Sequence, residues 1–122
     1  MAETYRRYRR VLAANNALDF DDLLLLPVQL LRQNEQIRRY WHRRFRHVLV
    51  DEYQDTSPSQ ERLLELLVAG WQPGDGRSLF CVGDPMQSIY AFREADVTLF
   101  LQAQRQGIGG VQLASERLGQ NF

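Results

Sequence analysis

The sequence contains no lysine, because all fifteen of its basic residues are arginine. A P-loop uses a lysine to reach the phosphates of its nucleotide, so the chain cannot contain a complete one. No apolar run approaches the ~20 residues that a membrane-spanning helix needs, and the arginine-rich N-terminus does not have the form of a secretory signal. The single cysteine, Cys81, cannot form an internal disulfide, which is typical of a reducing compartment. We therefore expect a cytoplasmic protein that does not contact a membrane.

The charges are balanced in number but not along the chain. The part up to Arg46 contains ten arginines and five acids, whereas the part from His47 onward contains five arginines and ten acids. A basic half can indicate a nucleic-acid partner, but a solvated helix face produces the same pattern. The charged content of 25% and the hydrophobic content of 44% are typical of a folded globular chain. Charge alone therefore leaves the partner open.

The first 45 residues have apolar side chains at helical spacing. One helix is predicted to stop at an Asn-Asn pair, and Asp19 or Asp21 can cap a second one. Pro27 lies within that second stretch and predicts either a kink or an early first turn. A third, strongly basic helix is predicted over residues 35–45. We therefore predict a helical segment, residues 1–45, that leads into a second part, residues 46–122.

The second part begins with a different pattern. Val48–Val50 and Leu79–Val82 are short apolar runs, and acidic residues closely follow each of them. Between them, Ser57 and the following proline predict the start of a helix. Continuous apolar strands separated by a helix are typical of a βαβ unit in a parallel sheet. Another helix is predicted over Asp96–Arg105, and a weaker third strand over Val111–Leu113.

Carboxylates stand directly after the first predicted strand, in the segment Asp51-Glu52-Tyr53-Gln54-Asp55. Ligands of doubly wound sheets bind at the carboxyl ends of the strands. One carboxylate there can hold Mg²⁺, and the next can orient or deprotonate an attacking water. The same acids could instead satisfy loop amides or cap the following helix, so the spacing alone leaves both interpretations open.

The second predicted strand leads into another polar segment, residues 83–93. Gln87 could sense a terminal phosphate by hydrogen bonding. Tyr90 and Phe92 have aromatic faces on which the bases of single-stranded nucleic acid stack, and Arg93 can pair with phosphate. By the pattern alone, aromatic residues that belong to a core are the favoured interpretation.

Taken together, these segments resemble the UvrD/RecB-like superfamily 1 DNA helicases. Residues 51–57 are similar to the motif II of that family and residues 83–93 to its motif III. Residues 18–24 are similar to its Leu-Asp-Phe-Asp-Asp-Leu segment, and residues 118–122 to the start of its motif IV. The resemblance implies an α/β fold, a partial RecA-like parallel sheet of the P-loop NTPase type flanked by helices. The chain would then be a fragment of the first motor domain that lacks the P-loop.

The resemblance also implies roles at a nucleotide site for ATP and Mg²⁺. Asp51 would bind the Mg²⁺ ion, and Glu52 would act as the general base on the hydrolytic water. Gln87 would contact the γ-phosphate and couple its loss to DNA movement. Gln54 and Asp55 would brace the nucleotide site against neighbouring motifs.

The partners implied by the resemblance are DNA and the rest of a helicase. Tyr90, Phe92 and Arg93 would meet single-stranded DNA, while ATP hydrolysis drives 3′-to-5′ translocation and duplex unwinding. Without the P-loop lysine, and without the arginine that follows the start of motif IV in the family, the chain by itself is expected to be inactive. Two alternatives are the helicase part of a RecB-like exonuclease V subunit, with other exonuclease subunits as partners, and a non-enzymatic single-stranded-DNA-binding accessory module.

Overall fold

The computed structural model describes residues 1–87 and 97–119 of the chain, without the side chain of Val97. The helices and strands in these ranges are α1 (Ala2–Ala14), α2 (Asp22–Gln33), α3 (Glu35–Arg44), β1 (His47–Val50), α4 (Pro58–Val68), β2 (Ser78–Cys81) and α5 (Val97–Gln106). A short 3₁₀ turn follows each strand, at Tyr53–Asp55 and at Pro85–Gln87. None of the helices in the described ranges is long and apolar enough to cross a membrane.

The three helices predicted in the N-terminal segment are present. Of the two candidate caps for α2, Asp19 makes the bond, because its Oδ1 accepts from the N–H of Asp22 at 2.8 Å, whereas Asp21 makes no side-chain cap bond. Pro27 lies inside α2 and not in its first turn. The division of the chain into two parts at residue 45 stays a prediction.

No residue of helix α1 is buried. Polar contacts attach this helix to α2 and to the residues just before it. The Tyr8 hydroxyl donates to Oδ2 of Asp19 at 2.8 Å. Arg9 forms an ion pair with Asp22, whose side chain is buried. A buried carboxylate needs such a partner, since an unpaired charge away from water is strongly unfavourable.

The two strands form a parallel pair, in which His47 lies opposite Ser78 and Val50 opposite Cys81. Helix α4 connects them and begins with a capping box. Ser57 Oγ accepts from the N–H of Gln60 at 3.4 Å, and Gln60 Oε1 accepts from the N–H of Ser57 at 2.9 Å. These two bonds satisfy backbone donors that the first turn of a helix leaves free. The predicted βαβ unit is therefore confirmed.

One face of this sheet packs against the core. The side chains that point to this face belong to Val48, Val50, Leu79 and Cys81, and they contact a buried cluster of Tyr53, Val68, Trp71, Ala103 and Ile108. The alternate side chains point to the other face, where Leu49 is 70% exposed and Phe80 is 63% exposed. The described residues therefore form a small parallel sheet flanked by helices, and the RecA-like assignment stays a prediction.

The third strand predicted over Val111–Leu113 is wrong. Ile108 and Val111 form an isolated antiparallel bridge with reciprocal N–H to carbonyl bonds of 3.0 and 2.9 Å. The two residues between them, Gly109 and Gly110, have φ values of +57° and +87°, and positive φ at both central positions is typical of a tight hairpin turn. The chain therefore turns back on itself here and adds no strand to the sheet.

Candidate functional site

The loops that follow β1 and β2 leave the sheet at the same edge, because the strands are parallel. Backbone pairing continues beyond the last paired residues. The N–H of Val82 donates to the carbonyl of Val50 at 2.8 Å, and the N–H of Tyr53 donates to the carbonyl of Val82 at 2.9 Å. The expectation that the two strand ends run side by side in the same direction is confirmed.

The chain turns sharply at the end of β1. Oδ1 of Asp51 accepts from the N–H of Glu52 at 2.9 Å. Glu52 itself has a left-handed backbone, with φ +53° and ψ +38°, a conformation that is uncommon for a residue with a side chain. Both carboxylates remain exposed at the carboxyl end of the strand, which is where ligands of parallel sheets bind.

A cleft of about 380 Å³ opens between the end of β1 and the start of α4. Its walls consist of Val50, Asp51, Glu52, Asp55, Thr56, Gln60, Leu63 and Leu64. Three of the predicted site residues, Asp51, Glu52 and Asp55, therefore line one cleft. Gln87 does not line it and lies exposed on the neighbouring loop.

Gln54 connects the two loops. Its side chain is 3% exposed; Nε2 donates to Oε2 of Glu52 at 2.6 Å, and Oε1 accepts from the N–H of Asp84 at 3.0 Å. A Cβ atom at Gly83 would lie 2.6 Å from Oε1 of Gln54, so only glycine leaves room for the glutamine at this point. Gln54 therefore faces the second loop and not the cleft.

Asp84 is a residue to which the sequence analysis gave no role. Its Oδ1 accepts from the N–H of Met86 at 2.9 Å, and its Oδ2 accepts from Nε2 of Gln87, also at 2.9 Å. The signal that could have found it is an acid, after a glycine, close behind a predicted strand. The loop after β2 is thus organised around one carboxylate.

The three residues predicted to meet single-stranded DNA, Tyr90, Phe92 and Arg93, lie outside the described residues. The same holds for residues 120–122 of the motif IV-like segment. Their roles stay predictions.

Three titratable groups close to the two loops have raised pKa values. Tyr53 is buried and its hydroxyl donates to Oε2 of Glu61. Burial, followed by this hydrogen bond, raises the pKa of Tyr53, and burial raises the pKa of Glu61 although the bond from Tyr53 opposes that shift. Burial, reinforced by the nearby Glu61 carboxylate, raises the pKa of Cys81 to about 11. The Cys81 thiol is therefore protonated near neutral pH, as expected for a cysteine that acts as a small core residue.

Two acidic loops therefore leave the same edge of a parallel strand pair and are joined by hydrogen bonds. The chain belongs to the UvrD/REP helicase family, because the model of the UvrD/REP helicase N-terminal domain matches residues 1–107. The family predicted from the sequence is therefore confirmed.

Individual relatives agree with this membership. The chain is 49% identical over 94 residues to the ATP-dependent DNA helicase Rep of Escherichia coli K12, and 51% identical over 102 residues to the ATP-dependent DNA helicase UvrD1 of Mycobacterium tuberculosis H37Rv. These alignments cover 77% and 80% of the chain. It is also 41% identical over 97 residues, or 80% of the chain, to an ATP-dependent helicase/nuclease subunit from Streptococcus mutans. The chain spans 13% of the length of Rep and UvrD1 and 8% of the helicase/nuclease protein.

Proposed function

We propose that the chain forms part of the ATP-hydrolysing motor of a DNA helicase that acts in the cytoplasm. The single observation that best supports this is the connection of Glu52 to the loop of Gln87 at one edge of a parallel strand pair. Hydrolysis of a terminal phosphate needs a group that orients the water and a group that senses the phosphate, held in fixed relation. The names of Rep and UvrD1 describe ATP-dependent DNA helicases, which agrees with this proposal.

In this proposal Asp51 holds Mg²⁺ at the end of β1. The bond from the N–H of Glu52 to one of its oxygens leaves the carboxylate with acceptor sites that could hold the ion. Among residues 1–87 and 97–119 no group of three or more His, Cys, Asp or Glu side chains could hold a metal ion. An aspartate at the edge of a cleft fits Mg²⁺ all the same, because this ion commonly uses one or two carboxylates and completes its shell with waters and substrate phosphates.

The remaining roles are those that the resemblance to the helicase family implies. Glu52 is the general base on the hydrolytic water, and Gln87 contacts the γ-phosphate of ATP. Asp55, which lines the cleft beside Glu52, and Gln54 brace the site. When bound, Mg²⁺ would offset the negative charge that the phosphates and the carboxylates bring together.

DNA contact is assigned to the segment that follows Gln87. Tyr90 and Phe92 stack on bases of single-stranded DNA, and Arg93 pairs with phosphate. Loss of the γ-phosphate at Gln87 is thereby coupled to movement along the strand, in the 3′-to-5′ direction, and to unwinding of duplex DNA. The partners are single-stranded and duplex DNA and the remaining domains of a longer helicase, of which this chain covers a small part.

The test is DNA-stimulated ATP turnover by the full-length protein that carries this segment. Glu52→Gln is expected to lower kcat by roughly 10²- to 10⁴-fold, the range typical for loss of a general base, while nucleotide binding persists. Glu116→Gln, an exposed charge-matched substitution, should leave turnover unchanged. Full activity of Glu52→Gln would contradict the proposed role.

The 122-residue chain is expected to have negligible turnover on its own, because it contains no lysine that could act in a P-loop. Robust phosphate release by this chain with ATP, Mg²⁺ and single-stranded DNA would show that this expectation is wrong.

A helicase–nuclease is the second candidate, favoured by the 41% identity to the helicase/nuclease protein of Streptococcus mutans. DNA degradation by the full-length protein, or by its complex with other exonuclease subunits, would support the helicase–nuclease candidate. A non-enzymatic single-stranded-DNA-binding module is the third. It predicts salt-sensitive DNA binding that is lost in Tyr90→Ala and does not respond to nucleotide.

A further inference from the structure

Four residues form a continuous hydrogen-bonded path across the loops after β1 and β2. Oε2 of Glu52 accepts from Nε2 of Gln54, Oε1 of Gln54 accepts from the N–H of Asp84, and Oδ2 of Asp84 accepts from Nε2 of Gln87. The donor–acceptor distances are 2.6, 3.0 and 2.9 Å. We propose that Gln54 and Asp84 are positioning residues that hold the general base Glu52 and the phosphate sensor Gln87 in one connected arrangement. This inference rests on the proposed function.

The first link needs a glutamine. The group between Glu52 and the N–H of Asp84 must donate to a carboxylate and accept from a backbone N–H at the same time, and a carboxamide does both. Asparagine is one methylene shorter, and leucine offers neither atom. Gln54 is nearly fully buried, so water cannot readily replace its bond to the N–H of Asp84, and an unmet N–H there would be unfavourable.

Glu52 needs a bond that fixes its side chain, because of its backbone conformation and its exposure. Its left-handed conformation points the chain into the turn, but its side chain is otherwise exposed and would sample several rotamers. The bond from Gln54 selects one of them. A general base that is held in place before the substrate arrives contributes more than a mobile one, because the ordering entropy has already been lost.

The second link sets the resting position of Gln87. The Gln87 side chain is exposed and its amide is held by Asp84, whose other oxygen fixes the N–H of Met86. The Gln87 amide group has two N–H donors, so one can stay on Asp84 while the other donates to a phosphate oxygen. A shift of the Gln87 amide towards the phosphate would then be felt at Glu52 through Asp84 and Gln54.

The activity test uses Gln54→Leu and Gln54→Glu in the full-length protein. Gln54→Leu should lower kcat roughly 10- to 100-fold at every pH, while KM for ATP changes by less than about twofold. Gln54→Glu should be equally impaired, because a carboxylate at this position cannot donate to Glu52 and repels it. The loss in kcat with an almost unchanged KM is the readout, because a merely structural role of Gln54 would also weaken ATP binding.

The link itself is tested in the 122-residue chain, without activity. In ¹H–¹⁵N spectra, Asp84→Ala should move the side-chain amide signals of Gln87 towards those of a free glutamine and also shift those of Gln54. Glu116→Gln should move neither pair. Unchanged amide signals of Gln54 and Gln87 in Asp84→Ala would overturn the proposal, whatever the protein hydrolyses.

The two tests separate the inference from the proposed function. A wild-type protein without ATP turnover refutes the proposed function. A wild-type protein that turns over ATP, with kcat within twofold in Gln54→Leu or with KM for ATP raised as much as kcat is lowered, refutes only the positioning role.

Discussion

Tyr53 and Glu61 are joined by a hydrogen bond from the tyrosine hydroxyl to Oε2 of the carboxylate, which ties the loop after β1 to the beginning of α4. The tyrosine ring lies in the core, with its centroid 6.0 Å from that of Phe100 in α5. Its N–H also donates to the carbonyl of Val82. The residue that directly follows Glu52 is therefore anchored to α4, α5 and the second loop at once.

We expect Tyr53→Phe to lower the free energy of unfolding by about 1–2 kcal/mol, because it leaves the partly buried Glu61 carboxylate without its donor. Tyr53→Phe combined with Glu61→Leu should cost less than the sum of the single changes, since replacing both partners removes the unmet group. The measurement is urea denaturation of the four proteins in a double-mutant cycle. Tyr40→Phe, a change at an exposed tyrosine, is the control. Additivity within about 0.5 kcal/mol would argue against coupling between the two side chains.

The left-handed backbone of Glu52 predicts a difference between two substitutions that both remove its carboxylate. Glu52→Ala retains a Cβ atom at φ +53°, whereas Glu52→Gly relieves that strain. The left-handed conformation costs a residue with a Cβ atom roughly 1–2 kcal/mol. Glycine avoids this cost, but part of the gain is cancelled because glycine loses more conformational freedom on folding. We therefore expect Glu52→Gly to be about 1 kcal/mol more stable than Glu52→Ala in urea denaturation. An equally stable or less stable glycine variant would mean that Glu52 is not strained.

The strands and α4 could be predicted because each leaves a local signal. An apolar run that stops at acidic residues marks the end of β1, and a serine before a proline marks the start of α4 at Ser57. The third strand failed for an equally local reason. Val111–Leu113 has the composition of a short strand, but Gly109 and Gly110 before it favour a turn with positive φ.

The site could be predicted only in part. Asp51, Glu52 and Asp55 reach one cleft because they follow a single strand end. The bond from Asp84 to Gln54 joins residues 30 positions apart, and it depends on the register of β1 against β2 and on side-chain torsions. No local pattern encodes either of these, so the bond from Asp84 to Gln54 and the separation of Gln87 from the cleft could not be predicted.

The attachment of α1 predicts different effects for two neighbouring arginines. Arg9→Ala leaves the buried Asp22 carboxylate without its ion-pair partner, whereas Arg10→Ala removes only an exposed contact to Glu3 at 3.6 Å. Loss of one partner of a buried pair commonly costs ~3–5 kcal/mol, and less is expected here because the Arg9 side chain is 37% exposed. Hydrogen exchange should therefore become faster throughout α1 in Arg9→Ala, while Arg10→Ala leaves the rate near that of wild type. Equal exchange in the two variants would show that other contacts hold α1.

Cys81 predicts a loss of stability at alkaline pH. Burial raises its pKa from 9.0 to about 11, so the folded state keeps its proton where the unfolded chain releases it. The stabilisation is complete below pH 9 and is lost as the pH rises through 11. Because the thiol is only partly buried, solvent screening reduces the effect to on the order of 1 kcal/mol. Urea denaturation at pH 7.5 and pH 10.5 should therefore show a larger fall for wild type than for Cys81→Ala, whose own packing defect is the same at both pH values. An equal fall in the two proteins would mean that the thiol is as free to ionise in the folded protein as in the unfolded chain.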